Sequence, residues 1–183
     1  INKCTVVPAR IGVLVDHDLG EPHVSILDCH MSCFDRDIEL RAASQVFISN
    51  CDLFNSSLQV GASNTFYYIY ILNDVSGLSL EGINITNNMI GTHNASNTTI
   101  EGIRLEVTTG AAMNRVMVAN NIITSVTTGI HASTLVSGQA FDNDIVKNLG
   151  ATVVPYNILT ASDWQTRRPY SDVPTVYTGN NAT

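Results

Sequence analysis

The sequence predicts an all-β protein built as a parallel β-helix, a solenoid of about six coils. A four-residue motif that begins with Asn or Asp recurs five times, and corresponding positions are separated by 22, 37, 33 and 22 residues. A second series of short β-branched segments alternates with these motifs along the chain. Self-similarity at about 20–50 residues is typical of stacked repeats. Because each repeat contains strands rather than helices, the stacked unit is expected to be a coil of β-strands.

Each copy of the motif follows a short apolar run that is predicted to be a strand. Asn and Asp tolerate the left-handed backbone that a tight corner requires, so each motif predicts a corner between two strands. The five copies are Asp28-Cys29-His30-Met31, Asn50-Cys51-Asp52-Leu53, Asn87-Asn88-Met89-Ile90, Asn120-Asn121-Ile122-Ile123 and Asp142-Asn143-Asp144-Ile145. The runs before them are Val24–Leu27, Val46–Ile48, Ile83–Ile85, Val116–Val118 and, more weakly, Ala140–Phe141.

The interleaved series supplies the second strand of each predicted coil. Its members are Ile11–Val15, Ile38–Ala42, Tyr67–Leu72, Ile103–Val107, Ile130–Ala132 and Val153–Val154. One residue of each is expected to point inward, namely Val13, Ile38, Ile69, Ile103, Ile130 and Val153. An irregular β-sandwich also fits alternating short strands. The repeated Asn motif favours the β-helix.

The second motif position predicts a column of stacked polar side chains inside the protein. A side-chain amide both donates and accepts hydrogen bonds, so asparagines in successive coils can bond to each other. Asn88, Asn121 and Asn143 would form such a ladder, and Cys29 and Cys51 occupy the same position earlier in the chain. We expect these two cysteines to be buried free thiols, and a disulfide between them is the alternative.

Composition sets the limits on domain number and function class. The 183 residues fit one domain, and 44% hydrophobic residues are enough for a continuous core. The net charge of −7 and the lack of a basic cluster argue against nucleic-acid binding, which depends on cations that neutralise phosphates. No apolar window is long enough for a transmembrane helix, so no membrane insertion is expected. We expect residues 1–154 to form the β-helix and residues 155–183 an exit or capping segment, within a longer polypeptide.

The repeats resemble the right-handed parallel β-helix of the pectate-lyase-like superfold. The similar segments are Glu101–Leu105, Thr128–His131 and Val118–Ile123. The Asn-Thr-Asp, Asp-Asp, Gly-His-Gly and Arg-Ile-Lys blocks of polygalacturonases are absent, as is the arginine-proline-arginine block of pectate lyases. By elimination the chain is most similar to bacteriophage tailspike or tail-fibre proteins.

That resemblance implies a function, an assembly and a location. The implied protein is a homotrimer in the virion tail that contacts other tail proteins and recognises bacterial surface polysaccharide, an O-antigen or a capsule. Phe47 and Met117, two apolar residues that point outward between polar neighbours, fit a trimer contact. Whether the chain also hydrolyses its polysaccharide is left open. The alternatives are a structural tail-fibre spacer without a ligand site and a secreted polysaccharide lyase or hydrolase.

Strand alternation predicts a row of outward side chains in successive coils. With the isoleucines inward, the outward row is Glu39, Tyr70, Arg104 and His131, flanked by Tyr68 and Glu106. Aromatic rings and planar charged groups are the side chains that hold sugars, so Tyr68 and Tyr70 are predicted to stack on sugar rings. Arg104 and His131 are predicted to hold anionic or hydroxyl groups. A solvated face and a trimer contact are the plainer interpretations.

If the protein is a glycoside hydrolase, the row also contains the carboxyl groups that the reaction needs. Hydrolysis uses two carboxyl groups about 5–9.5 Å apart. Glu106 is the predicted general acid, and Asp74 or Glu39 would activate water. Arg104 opposes this assignment, because a neighbouring cation lowers the pKa that a general acid needs raised. A tight turn after Val15 explains Asp16-His17-Asp18 as well as a metal site does, and no cofactor or metal is expected.

Overall fold

A computed structural model describes residues 1–16, 23–55, 65–91, 99–108, 110–146, 154–158, 164–167 and 170–171. Within these residues the chain forms 18 strands and no helix. The first nine strands are β1 (Thr5–Val15), β2 (His23–Leu27), β3 (His30–Arg41), β4 (Ser44–Ser49), β5 (Asp52–Asn55), β6 (Thr65–Asn73), β7 (Ser79–Glu81), β8 (Asn84–Thr86) and β9 (Met89–Gly91). The other nine are β10 (Thr99–Val107), β11 (Ala112–Ala119), β12 (Ile122–Thr124), β13 (Thr128–Ala132), β14 (Val136–Phe141), β15 (Asp144–Val146), β16 (Val154–Ile158), β17 (Trp164–Arg167) and β18 (Tyr170–Ser171).

These strands form two sheets. The larger has eleven strands in the order β16-β13-β10-β6-β3-β5-β9-β12-β15-β18, and β1 also pairs with β3. The smaller has seven strands in the order β17-β14-β11-β8-β4-β2, and β7 also pairs with β11. Every strand pair within the described residues is parallel. Each strand therefore pairs with a strand from another repeat rather than with its neighbour in the chain.

The long strand β3 corrects the predicted fold class. It pairs with β5 through His30–Cys33 and with β6 through Arg36–Arg41. The two strand series are thereby joined in one curled sheet, a half-barrel. The prediction of a right-handed parallel β-helix of about six coils is wrong, because the structure shows a half-barrel and a second parallel sheet rather than a solenoid. Repeat spacing reports which strands lie beside each other, and it does not report whether the chain closes into coils.

The predicted inward residues do align in one row across the larger sheet. Val13 pairs with Ile38, Ile38 with Ile69, Ile69 with Ile103, and Ile103 with Ile130. All five are buried. Val153, the predicted sixth member, lies outside the described residues, and the row continues from Ile130 to Tyr156. The sequence pattern therefore predicted register correctly in this part of the sheet.

A left-handed corner precedes each motif strand. The first motif residue has a φ angle between 52° and 57° in every copy, a conformation that Asn and Asp adopt more readily than other non-glycine residues. These five residues are Asp28, Asn50, Asn87, Asn120 and Asp142. The corner turns the chain from the smaller sheet into the larger one, so that β2, β4, β8, β11 and β14 each lead into a strand of the half-barrel.

The asparagine ladder is confirmed. Asn88 Nδ2 donates to Asn121 Oδ1 at 3.0 Å, and Asn121 Nδ2 donates to Asn143 Oδ1 at 2.9 Å. All three side chains are buried. Each amide nitrogen also donates to a backbone carbonyl of the preceding motif repeat, as Asn121 does to Ile85 O at 3.0 Å. The ladder thus joins neighbouring repeats through both side chains and backbone.

Cys51 continues this ladder with a thiol in place of an amide. Its backbone N–H donates to Asn88 Oδ1 at 3.0 Å, and its Sγ lies 3.6 Å from the Ile26 carbonyl oxygen. That carbonyl corresponds to the one that Asn88 bonds in the next repeat, Ile48 O at 3.1 Å. Cys29 and Cys51 are free buried thiols, so the structure contains no disulfide between them.

Strand pairing also extends beyond the boundary predicted at residue 154. β16, β17 and β18 pair in parallel with β13, β14 and β15. The division of the chain into a region up to 154 and a segment from 155 stays a prediction. Within the described residues there is no helix that is both long and apolar enough to cross a membrane.

Candidate functional site

The residues of the predicted outward row lie in register on neighbouring strands of the half-barrel, although Glu39 and His131 are buried. Glu39 of β3 pairs with Tyr70 of β6, Tyr70 with Arg104 of β10, and Arg104 with His131 of β13. His131 then pairs with Asn157 of β16, which extends the row by one member. We call this set of five residues the polar row. Its members are brought together by parallel register alone, because they lie 26 to 34 residues apart in the chain.

Tyr68 does not belong to the exposed surface, so the structure gives no support to its predicted contact with sugar. Its side chain is fully buried, and so is that of the next residue, Ile69. Strict alternation therefore breaks here, with two consecutive residues on the core side. Gly102 occupies the matching position between paired residues on β10, and a Cβ there would lie 2.5 Å from Gly129 O. Gly102 therefore approaches the backbone of β13 more closely than a residue with a side chain could.

Because alternation breaks, the residue three positions before a member of the polar row on the same strand also lies beside the row. Tyr67 pairs with Arg36 on one side and with Glu101 on the other. Sequence reasoning missed these three residues, since an odd separation places them on the opposite face of an ideal strand. Their signal was the regular spacing, in which Arg36, Tyr67 and Glu101 each precede a member of the polar row by three.

The two tyrosines form an aromatic pair under arginine side chains. The Tyr67 and Tyr70 rings stack with centroids 5.1 Å apart and planes inclined by 22°. The Arg36 guanidinium lies 5.6 Å from the Tyr67 centroid and 5.2 Å from that of Tyr70. Arg104 lies 5.5 Å from the Tyr67 centroid. Contacts of this kind are worth roughly 0.5–1 kcal/mol at exposed sites, so they hold the rings in fixed orientations.

Glu39 lies at one end of the polar row, enclosed by two arginines. It pairs with Arg36 through one oxygen, and its Oε1 accepts from Arg41 Nε at 2.9 Å. Only 1% of the Glu39 side chain is exposed. A substrate cannot reach a carboxylate that is covered in this way, so the geometry does not support Glu39 as the group that activates water.

Arg104 is the centre of a second network. Its Nε donates to Glu106 Oε2 at 2.8 Å, and one terminal nitrogen donates to both oxygens of Glu101, at 3.0 and 3.1 Å. Burial lowers the pKa of Arg104, but the hydrogen bonds and charges of Glu106 and Glu101 outweigh burial and raise it. The guanidinium is therefore a permanent cation between two carboxylates.

Glu106 is a carboxylate rather than a general acid in this setting. Burial raises its pKa, but hydrogen bonds from Arg104 and Tyr70 and the Arg104 charge outweigh burial, and the net pKa is lowered. The Tyr70 hydroxyl donates to Glu106 Oε2 at 3.0 Å. A lowered pKa does not fit the predicted role of Glu106 as general acid, because that role needs a raised pKa. Among the described residues no hydrogen bond or ion pair joins Asp74 to Glu106, and exposed Asp74 instead lies near Arg41.

His131 is nearly buried beside the second network. Its Nδ1 lies 4.0 Å from Glu101 Oε2 and 3.3 Å from Asn157 Nδ2. Burial and the Arg104 charge lower its pKa, against the opposing effect of Glu101 and Glu106. The imidazole is thus neutral at pH 7, and it can accept a hydrogen bond from the Asn157 amide. The sequence predicted that His131 holds an anionic or hydroxyl group of a sugar, and a neutral imidazole suits a hydroxyl group better than an anion.

The arrangement presents planar polar side chains and two partly exposed aromatic rings in a row that follows the sheet. Such groups can form paired hydrogen bonds with hydroxyls and contact the apolar faces of rings. The described residues contain no cluster of three or more His, Cys, Asp or Glu side chains that could hold a metal ion. Comparisons with protein families, with curated proteins and with solved structures found no match for this chain.

Proposed function

We propose that this chain is a tailspike-like receptor-binding protein that recognises bacterial surface polysaccharide along the polar row. The observation that supports the proposal is the register of Glu39, Tyr70, Arg104, His131 and Asn157 across five parallel strands. Parallel strands lie about 4.8 Å apart, so the row is about 19 Å long. That length matches an extended oligosaccharide rather than a single small ligand.

The chemistry of the row supports a sugar ligand over other ligands. Carbohydrates present hydroxyl groups beside apolar ring faces, and the row presents guanidinium and carboxylate groups beside Tyr67 and Tyr70. The ion pairs and cation–π contacts fix these side chains before a ligand arrives. A site ordered in advance loses less conformational entropy on binding.

The same contacts argue for recognition without hydrolysis. Glu39 is covered by Arg36 and Arg41, and the pKa of Glu106 is lowered. The Glu39 carboxylate is out of reach of a substrate, and the lowered pKa of Glu106 does not fit the acid role in glycoside cleavage, which requires a raised pKa. Release of reducing ends from a bound polysaccharide would contradict this part of the proposal, above all if Glu106→Gln lowered the rate by about 100-fold.

Binding to purified O-antigen and capsular polysaccharides tests the proposal. Tyr70→Ala should weaken the affinity at least about tenfold, or about 1.4 kcal/mol, because it removes half of the aromatic pair. Gln139→Ala is the matched control, since Gln139 is exposed on β14 of the other sheet. Circular dichroism of both variants checks that they fold. Unchanged affinity in folded Tyr70→Ala, or no binding to any polysaccharide, would contradict the proposal.

A structural spacer is the second candidate, and one observation favours it. Each carboxylate of the two networks pairs with an arginine of its own strand, β3 or β10, so its charge is balanced without any ligand. A spacer needs that balance and needs no affinity for sugar. The polysaccharide panel separates the two, because only the receptor-binding protein retains a glycan.

The assembly and location that accompany this function also stay predictions. Phe47 is 48% exposed on the smaller sheet, and in register it is followed by Asn84 and then by partly exposed Met117. A homotrimer would cover this apolar surface. Light scattering of the chain should give about three times 19.8 kDa. A mass of one chain at high concentration would contradict the trimer.

A further inference from the structure

We infer that the polar row selects neutral glycans and discriminates against acidic ones, an inference that rests on the proposed function. Three arginines border the row, which at first favours a uronic acid or a phosphate. Their contacts show that these cations are already neutralised within the sheet.

Arg104 has the most complete set of internal partners. Its Nε is bonded to Glu106, and one terminal nitrogen is bonded to both Glu101 oxygens. Glu101 is only 9% exposed at its side chain. An anionic sugar that paired with Arg104 would leave that carboxylate without its cation in a nearly buried position. Leaving a buried charge unpaired is strongly unfavourable.

Arg36 and Arg41 are committed in the same way to Glu39. Because Glu39 is buried, it cannot turn to solvent when a ligand anion approaches its arginines. The charges of Asp16 and Asp74 also contribute to the raised pKa of Arg41, so two further carboxylates lie near this end of the row.

The local charge therefore does not favour a polyanion. Arg36, Arg41 and Arg104 balance Glu39, Glu101 and Glu106, and His131 is neutral at pH 7. The whole chain carries a net charge of −7, which repels an acidic polymer as it approaches. A neutral glycan meets no such penalty, since its hydroxyls can bond to the exposed edges of Arg104 and Glu106 without separating the pair.

A panel of neutral bacterial polysaccharides, uronic-acid polysaccharides and carboxyl-reduced derivatives of the latter tests the inference. We expect binding to be confined to neutral and carboxyl-reduced polymers, with an affinity that changes less than about twofold between about 50 and about 500 mM NaCl, because little net charge is paired on binding. Tighter binding of a uronic-acid polymer than of its reduced form would overturn the inference and leave the proposed function standing. Binding to no polymer would overturn both.

A pair of charge variants tests the cause of the selectivity. Glu106→Gln keeps the side-chain shape and removes one carboxylate charge beside Arg104. We expect it to increase the affinity for uronic-acid polymers at least about threefold at low salt, and the gain should disappear at high salt. Glu81→Gln is the matched control, because it changes the net charge equally while Glu81 pairs with Arg115 on the other sheet, 3.2 Å away. An equal gain in both variants, or none in Glu106→Gln, would overturn the assignment to this network.

Discussion

Replacing Asn121 by alanine should cost more stability than replacing either of the other ladder asparagines. The Asn121 side chain takes part in four hydrogen bonds: it donates to Ile85 O and Asn143 Oδ1, and it accepts from the backbone and side-chain nitrogens of Asn88. The side chains of Asn143 and Asn88 each take part in three, Asn143 with Val118 O and both nitrogens of Asn121, and Asn88 with Cys51 N, Ile48 O and Asn121 Oδ1. At about 1 kcal/mol for each buried hydrogen bond, the expected losses are about 4 and about 3 kcal/mol.

Urea denaturation followed by circular dichroism measures these losses. A folded protein of this size has a free energy of unfolding of about 5–15 kcal/mol, so a loss of about 4 kcal/mol moves the midpoint strongly. The slope of the transition should stay constant, because the surface exposed on unfolding hardly changes. Gln139→Ala is the control, and it should shift the free energy of unfolding by less than about 0.5 kcal/mol.

A further substitution separates hydrogen bonding from lost volume. Asn121→Asp keeps the size of the side chain and both accepted bonds, but an ionised carboxylate has no donor for Ile85 O and Asn143 Oδ1. Its deficit should shrink as the pH falls and the carboxyl group is protonated, because the protonated form is neutral and donates one bond. If Asn121→Ala lost only about 1 kcal/mol, or if the Asp variant matched the native protein at neutral pH, the ladder would not stabilise the fold as argued.

Three further predictions concern buried groups of the core. Burial raises the pKa of Asp37 well above its ordinary 3.8, so the native state holds a proton that the unfolded chain releases, and the free energy of unfolding falls as the pH rises from about 4 through the raised pKa. Asp37→Asn should therefore be more stable than the native protein at pH 7 by at least about 1 kcal/mol, and a thermal melt that shows no gain would refute this. A thiol reagent should modify Cys4 quickly in the folded protein and the other three cysteines only after unfolding, because those three are buried and burial raises the pKa of Cys51 to about 11. Fast reaction of two or more thiols in the folded protein would contradict this prediction. Gly102→Ala should destabilise the protein by about 1–3 kcal/mol or more, because the new Cβ meets a backbone oxygen that cannot move aside, and unchanged urea midpoints would argue against that packing.

Register and polar stacking could be predicted from the sequence because both depend on local chemistry. The Asn motif marks a left-handed corner and a stacked amide wherever it recurs, and Asn88, Asn121 and Asn143 lie where that rule places them. The alternation of apolar residues placed Ile38 and Ile69 in register for the same reason. These features need only the residue types and their spacing.

The closure of the fold and half of the candidate site could not be predicted in this way. Whether two strand series join in one curled sheet depends on β3 continuing without a corner from His30 to Arg41, and no residue type marks its uninterrupted path. Tyr68 and Ile69 are both buried, so alternation breaks within β6 although no residue type there marks the break. Pairing of Arg104 with Glu101 follows from that break in alternation, so a rule based on one ideal strand could not find it.

The sulfur end of the asparagine ladder has a consequence for how the protein responds to force. The amide links between repeats lie in series, so tension applied along the stacking direction would load each link equally. The thiol of Cys51 lies 3.6 Å from the Ile26 carbonyl of the preceding repeat and 3.4 Å from the Ser49 carbonyl of its own, whereas each amide donates to a carbonyl of the preceding repeat, and a thiol is the weaker donor. Mechanical rupture should therefore begin between the repeats that contain Cys29 and Cys51 and proceed toward Asn143. When the protein is pulled along the stacking direction, the contact between these two repeats would then be the first to break.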